Sequence, residues 1–193
     1  MRKLFKSFAF TTAILSTMFL TQSCSKGSLG QDVTWKGNDV TASVPIVPDT
    51  TLHSSMSSGT FTYNLDSMIK AETKNAFNIT NIGKVTLKSC TVTIMNPDSA
   101  NNFANFQQCN LSFYSNKNAT PANIASISNN PDVYATVLNI PVDNTVDLKS
   151  YLYSSTSTTA TTVNYVWGGK LRRATTKSLT IMVHVEYTIH VQA

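Results

Sequence analysis

Residues 179–191 alternate without a break: Leu179, Ile181, Val183, Val185, Tyr187, Ile189 and Val191 are apolar, and Thr180, Met182, His184, Glu186, Thr188 and His190 lie between them. A side-chain period of two is that of a strand buried on one face, so the pattern predicts a strand over 177–191. Val163, Tyr165 and Trp167 predict another over 161–167, and the intervening GGKLRRATT reads as a hairpin connection. Shorter alternating runs predict strands over 40–47, 59–65, 84–95, 104–114 and 133–142. Pro48-Asp49, Pro97-Asp98 and Pro131-Asp132 punctuate them as turns, because Pro presets one φ and Asp bonds its own backbone. Short helices are predicted over 67–76, capped by Asp66, and over 148–153, capped by Asp147. The stretch 154–162, SSTSTTATT, is a low-complexity loop or exposed edge.

About seven strands and one or two short helices make an all-β chain. The expected architecture is an immunoglobulin-like two-sheet sandwich over 33–193, with a closed barrel as the alternative. Composition agrees: 27 Thr, 22 Ser and 18 Asn stand among 193 residues, and Thr favours strands while Ser and Asn favour turns. Only 13% of residues are charged and 41% are hydrophobic, which excludes a highly charged disordered protein.

Within 84–95, Val85 and Leu87 share one phase and Cys90, Val92 and Ile94 the other, so a β-bulge is predicted near Lys88-Ser89. Cys109, Leu111 and Phe113 share a phase in the next strand. A hairpin connection centred on 96–103 would set Cys90 opposite Cys109. In an oxidising compartment the pair would form a disulfide contributing on the order of 3 kcal/mol.

The compartment is suggested by the start of the chain. Residues 1–6 read MRKLFK, residues 8–20 form an apolar stretch of 13, and Thr21-Gln22-Ser23-Cys24 follows. A span needs about 20 apolar residues, so this one suits a secretory h-region. The segment resembles the signal peptide and lipobox of bacterial lipoproteins, with the looser box of Bacteroidota at Thr21 and Gln22. That resemblance implies cleavage after residue 23, a diacylglyceryl group and often a further acyl chain such as palmitate at Cys24, a tether over 24–32, and a bacterial cell-envelope location, at the outer membrane. The acidic stretch that marks surface export in that group is missing from SKGSLGQD, which favours the periplasmic side. Asp49-Thr50-Thr51, Asp66-Ser67-Met68 and Asp98-Ser99-Ala100 resemble the O-glycosylation acceptor of the same lineage, with Thr50, Ser67 and Ser99 as acceptors.

Loss of Arg2, Lys3 and Lys6 with the signal leaves 12 basic and 10 acidic groups, so the net charge of +5 falls to +2. A nucleic-acid partner needs a concentrated basic face and is not expected. Lys170, Arg172, Arg173 and Lys177 form the one basic cluster, a contact patch for anionic headgroups or acidic glycans. Trp35, Trp167, Tyr151 and Tyr153 are candidates for sugar stacking. Catalytic groups are few: Glu72, Glu186, eight Asp, His53, His184 and His190. His184 and His190 share a strand face but stand about 20 Å apart at roughly 3.3 Å per residue, too far for one metal. No catalytic residue, metal or cofactor is expected. The sequence reads as an envelope lipoprotein whose non-catalytic domain binds or assembles with an envelope protein, a glycan-binding surface being the alternative.

Overall fold

The computed structural model describes residues 30–154 and 160–193. The expected signal segment, the expected lipidation position Cys24 and most of the expected tether lie outside the described residues. Among the described residues there are nine strands: β1 (Gly30–Lys36), β2 (Val40–Val44), β3 (Leu52–Tyr63), β4 (Ile82–Ile94), β5 (Phe106–Ser115), β6 (Ala122–Ile127), β7 (Val137–Asn139), β8 (Thr161–Leu171) and β9 (Leu179–Gln192). Helices α1 (Leu65–Glu72) and α2 (Lys149–Leu152) complete the chain with two 3-10 turns. One sheet has the order β1-β9-β4-β7, with β2 also on β9, and the other has the order β3-β8-β5-β6.

The expected all-β, two-sheet sandwich is therefore what the chain adopts. Its connectivity follows one rule: β5 pairs β6, β4 pairs β7, β3 pairs β8 and β2 pairs β9, all antiparallel. The chain folds back on itself as one long ribbon, and rolling that ribbon brings β4 beside β9 and β5 beside β8. This is a jelly roll, whereas an immunoglobulin sandwich groups strands A, B, E and D against C, F and G.

Rolling sends sequence neighbours to opposite sheets, and that overturns two expected hairpins. The segment after β8 crosses to the other sheet instead of turning back, and so does the one between β4 and β5. Cys90 therefore faces Val185 of β9, Cys109 faces Gly169 of β8, and both are buried free thiols. The predicted Cys90–Cys109 opposition fails because period-two alternation reports which face of a strand is buried and not which strand lies beside it. The bulge expected near Lys88 is present, as a register shift between Leu87 and Ser89.

Boundaries moved as well. Residues 30–32, expected in the tether, begin β1, where Gly30 pairs Gln192. The strand expected over 133–142 shrinks to the three residues of β7, while β6 had no alternation to betray it. Asn64, not Asp66, caps α1 by accepting from the Ser67 amide at 3.0 Å. Asp66 instead accepts from the Ile79 amide and pairs Lys70, and Asp147 accepts from the amides of Val85 and Lys149.

Both inner faces meet in one core, with Trp167, Tyr187, Phe103, Phe106 and Phe113 fully buried. Each such large apolar side chain contributes about 1.5–3 kcal/mol over exposure. The hydroxyls of Tyr165 and Tyr187 bond each other inside it. Where β2 meets β3, the Val40 side chain packs on Gly59, and a Cβ there would overlap it. Ser57 Oγ donates to the Ser43 carbonyl at 2.7 Å along that side. On the opposite side the Ser126 amide donates to Pro141 and the Asp143 amide to Ile124, both at 3.0 Å. These contacts cover parts of the sheet edges, which are otherwise templates for aggregation.

The strands run between two poles. Gly30 and Gln192 pair at one, where the chain enters the domain and where Asn81 Nδ2 also holds the Gln192 carbonyl. The cross-sheet connections 45–51, 95–105, 128–136 and 172–178 gather at the other, hereafter the distal pole.

Candidate functional site

The distal connections are built from buried asparagines. Asn101, Asn102, Asn105 and Asn130 are all buried despite their polarity. A short amide carries both donors and an acceptor, so it can satisfy backbone groups that loops leave unpaired. Asn102 Oδ1 accepts from the Ala104 amide at 2.9 Å, and Asn105 Oδ1 accepts from the Asn102 amide at 3.2 Å. Asn105 Nδ2 donates to the carbonyls of Ala100 and Ala174, joining the β4–β5 and β8–β9 connections. Asn101 exchanges bonds with Thr176 in both directions at 2.8 Å. Asn130 Nδ2 donates to Phe103 and Phe106 carbonyls at 2.7 and 3.0 Å. Thr175 fixes the β2–β3 connection by exchanging bonds with Val47.

The basic cluster belongs to the same framework. Arg172 donates to the carbonyls of Ala104 at 2.9 Å and Asn130 at 2.7 Å. Arg173 forks onto Asp132, and Lys177 pairs Asp98 at 2.7 Å. Hydrogen bonds from Lys177, then Asn101, hold the Asp98 carboxyl at about 2, and the Arg173 bond lowers that of Asp132. Asp49 is held at about 2 by the Thr51 hydroxyl, then by the Thr51 amide and His53. Three of the four cations expected to form an open contact patch are thus engaged inside the pole. Lys170 lies opposite Leu52 on the edge of the β3-β8 pair.

On this framework stand the large apolar residues that remain exposed. Among the described residues these are Ile46, Leu52, Met95, Val133, Tyr134 and Val137, and every one belongs to the distal pole. Val133 and Tyr134 are 67% and 57% exposed on the β6–β7 connection, next to the Asp132 that Arg173 holds. Val137 pairs Thr93 two residues before Met95. Exposed apolar side chains gathered at one end of a hydrogen-bonded framework are what a docking surface offers.

Other expected positions do not converge there. Each histidine has its own aspartate: His53 with Asp49 at 2.8 Å, His184 with Asp39 at 2.7 Å and His190 with Asp32 at 2.8 Å. Glu186 is shared by Lys36 and Lys88 instead of joining His184. The Thr51 hydroxyl donates to Asp49 at 2.7 Å and stands 3.4 Å from His53 Nε2. Among the described residues no three His, Cys, Asp or Glu are grouped to hold a metal. Burial pushes the Cys90 thiol up to about 12 and raises Cys109 further, so both are poor nucleophiles.

Of the expected sugar-stacking residues, Trp167 and Tyr151 are buried, and Trp35 stacks on Tyr187 at 4.9 Å. Tyr153 lines a cavity of about 400 Å³ near the pole where the chain enters, beside Asp66 and Thr161. Asp66 pairs Lys70 there and Thr161 Oγ1 donates to the Leu152 carbonyl, while the Tyr63 hydroxyl, on a residue that also lines the cavity, is buried without a hydrogen-bond partner. Thr50, Ser67 and Ser99 are all exposed, Thr50 and Ser99 on distal connections and Ser67 on α1.

The asparagine framework was the part that sequence reasoning missed. Its one visible signal is spacing: Asn102 and Asn105, like Asn78 and Asn81, stand three apart and form reciprocal capping boxes around 3-10 turns.

No protein-family model matches the chain, and no curated protein does. Among solved structures the chain is similar to one described as Desmodium yellow mottle tymovirus, at 11% identity and a TM-score of 0.27, over 88% of this chain and 93% of that one. A match of that depth leaves function to be argued from the chain's own residues. Among the described residues no helix is long and apolar enough to cross a membrane.

Proposed function

We propose that this chain is an envelope lipoprotein, anchored through Cys24, whose jelly roll is a non-catalytic module that binds or assembles with an envelope partner through the distal loops. One observation carries the binding role: the exposed large apolar residues are gathered on hydrogen-bonded loops at the pole opposite the one where the chain enters. Anchoring is supported by the basic start, the apolar stretch of 13 and the Ser23-Cys24 junction. Acyl chains hold a protein to a bilayer with about 0.8 kcal/mol per buried CH₂, so two or three of them anchor it stably.

Intact mass of the protein extracted from its own membranes tests the anchor. Diacylglyceryl on an amino-terminal Cys24 is the expected result, together with release of the Cys24→Ala variant from the membrane fraction. An unmodified amino terminus in soluble protein contradicts it.

A further inference from the structure

Resting on that reading, we infer that the distal pole docks a different protein through an apolar contact, and that neither its own bilayer nor a second copy of the chain is the occupant. Reach comes first. Strand β9 has fourteen residues, about 40 Å at roughly 3.3 Å per residue, and it runs from the pole where the chain enters to the distal one. Five residues lie between Cys24 and Gly30, at most about 20 Å of chain. An anchored domain therefore turns its apolar loops away from the bilayer that holds it. Copies anchored in the same leaflet turn them in the same direction, so their distal poles do not face each other.

Charge selects among the remaining partners. Asp132 neutralises Arg173 and lies 3.7 Å from Arg172, Asp98 neutralises Lys177, and Asp49 pairs His53. With Asp49, Asp98 and Asp132 set against Lys170, Arg172, Arg173 and Lys177, the pole keeps an excess of a single positive charge, a weak field with which to gather anionic headgroups or acidic polymers. What it offers is exposed Val133, Tyr134 and Val137 on and beside the β6–β7 connection, Met95 just past the β4 residue that Val137 pairs, and Ile46 and Leu52 at the β2–β3 connection. The loops carrying them are fixed by Asn101, Asn105, Asn130 and Arg172, so little ordering is needed on docking. Tyrosine and aliphatic side chains on a preorganised surface suit the apolar centre of a protein interface.

The test uses the full-length protein in its own membranes, with photoreactive benzoylphenylalanine replacing Tyr134 or, as a control near the other pole, the exposed Thr120. Irradiation is expected to give one adduct from the Tyr134 position, its added mass that of a different polypeptide. That adduct should persist in about 1 M salt, where the Debye length is about 3 Å. It should fall about tenfold when Val133→Asp is added, the effect of losing a central apolar contact. An adduct of twice the chain's mass, a lipid adduct, or one abolished by salt overturns the inference about the occupant and leaves the docking role of the pole standing. No adduct from Tyr134 overturns both.

Discussion

Arg172 Nη2 donates to the carbonyl oxygen of Asn130 at 2.7 Å, across 42 positions of sequence. Asn130 in turn donates from its side chain to Phe103 and Phe106, so two residues tie three cross-sheet connections into one unit. The distal pole thereby behaves as part of the folded body and not as four independent loops.

Substitution at this pair should be costly out of proportion to its position near the surface. Arg172→Lys keeps the charge but cannot fork onto two carbonyls, and it is expected to lower stability by about 2 kcal/mol. Asn130→Asp places an acceptor against two carbonyl oxygens and should cost more. Urea unfolding checks both; a change below about 0.5 kcal/mol, typical of surface positions, would show that the framework is not cooperative.

Acid should weaken the protein in a defined window. Asp98 and Asp49 are held at about 2 and Asp132 is lowered, all below the usual carboxylate value near 3.9. A carboxyl depressed in the folded state contributes stability above its unfolded pKa and loses it as pH falls through its folded pKa. The thermal midpoint is therefore expected to drop between about pH 4 and pH 2, and the Asp98→Asn and Asp132→Asn variants should show a shallower drop. Equal slopes in the variants and the parent would remove these ion pairs from the account.

Much of the fold is legible in the sequence, and what is missing has a physical reason. Alternation in β9 and β8 marks their buried faces because one side meets a core and the other meets water. It says nothing of sheet partnership, so Cys90 and Cys109, correctly assigned to buried faces, were set opposite each other when they belong to different sheets. The functional candidate was harder still. Asn130 and Asn105 read as turn residues, and only the tertiary structure shows them buried and bonded to distant carbonyls. Likewise Arg172 and Arg173 read as an open basic patch because Asp132, their neutralising partner, stands about 40 positions away.

The two core thiols provide a direct check on the sheet assignment. Buried, free and with raised pKa values, Cys90 and Cys109 should resist maleimide in the folded protein and label completely after unfolding without reductant. A mass lower by the two hydrogens of a disulfide would contradict the free thiols.

Three buried tyrosine hydroxyls should respond in opposite ways. Tyr165 and Tyr187 bond each other, so changing either to Phe leaves the other hydroxyl buried without that partner, at about 1–3 kcal/mol. The double Phe variant should cost less than the sum of the singles. The Tyr63 hydroxyl is buried with no partner, so Tyr63→Phe is expected to be neutral or stabilising. A double-mutant cycle by chemical denaturation with zero coupling would contradict the pairing.

The central claim is that Val133 and Tyr134 are exposed for a partner and not for the fold. Affinity-tagged protein carrying Val133→Asp and Tyr134→Asp, purified from its own membranes beside the parent, tests it when the unfolding midpoint of each is measured in parallel. The account predicts an unchanged midpoint with loss of the proteins that co-purify with the parent; full recovery of those proteins with the double variant would contradict it.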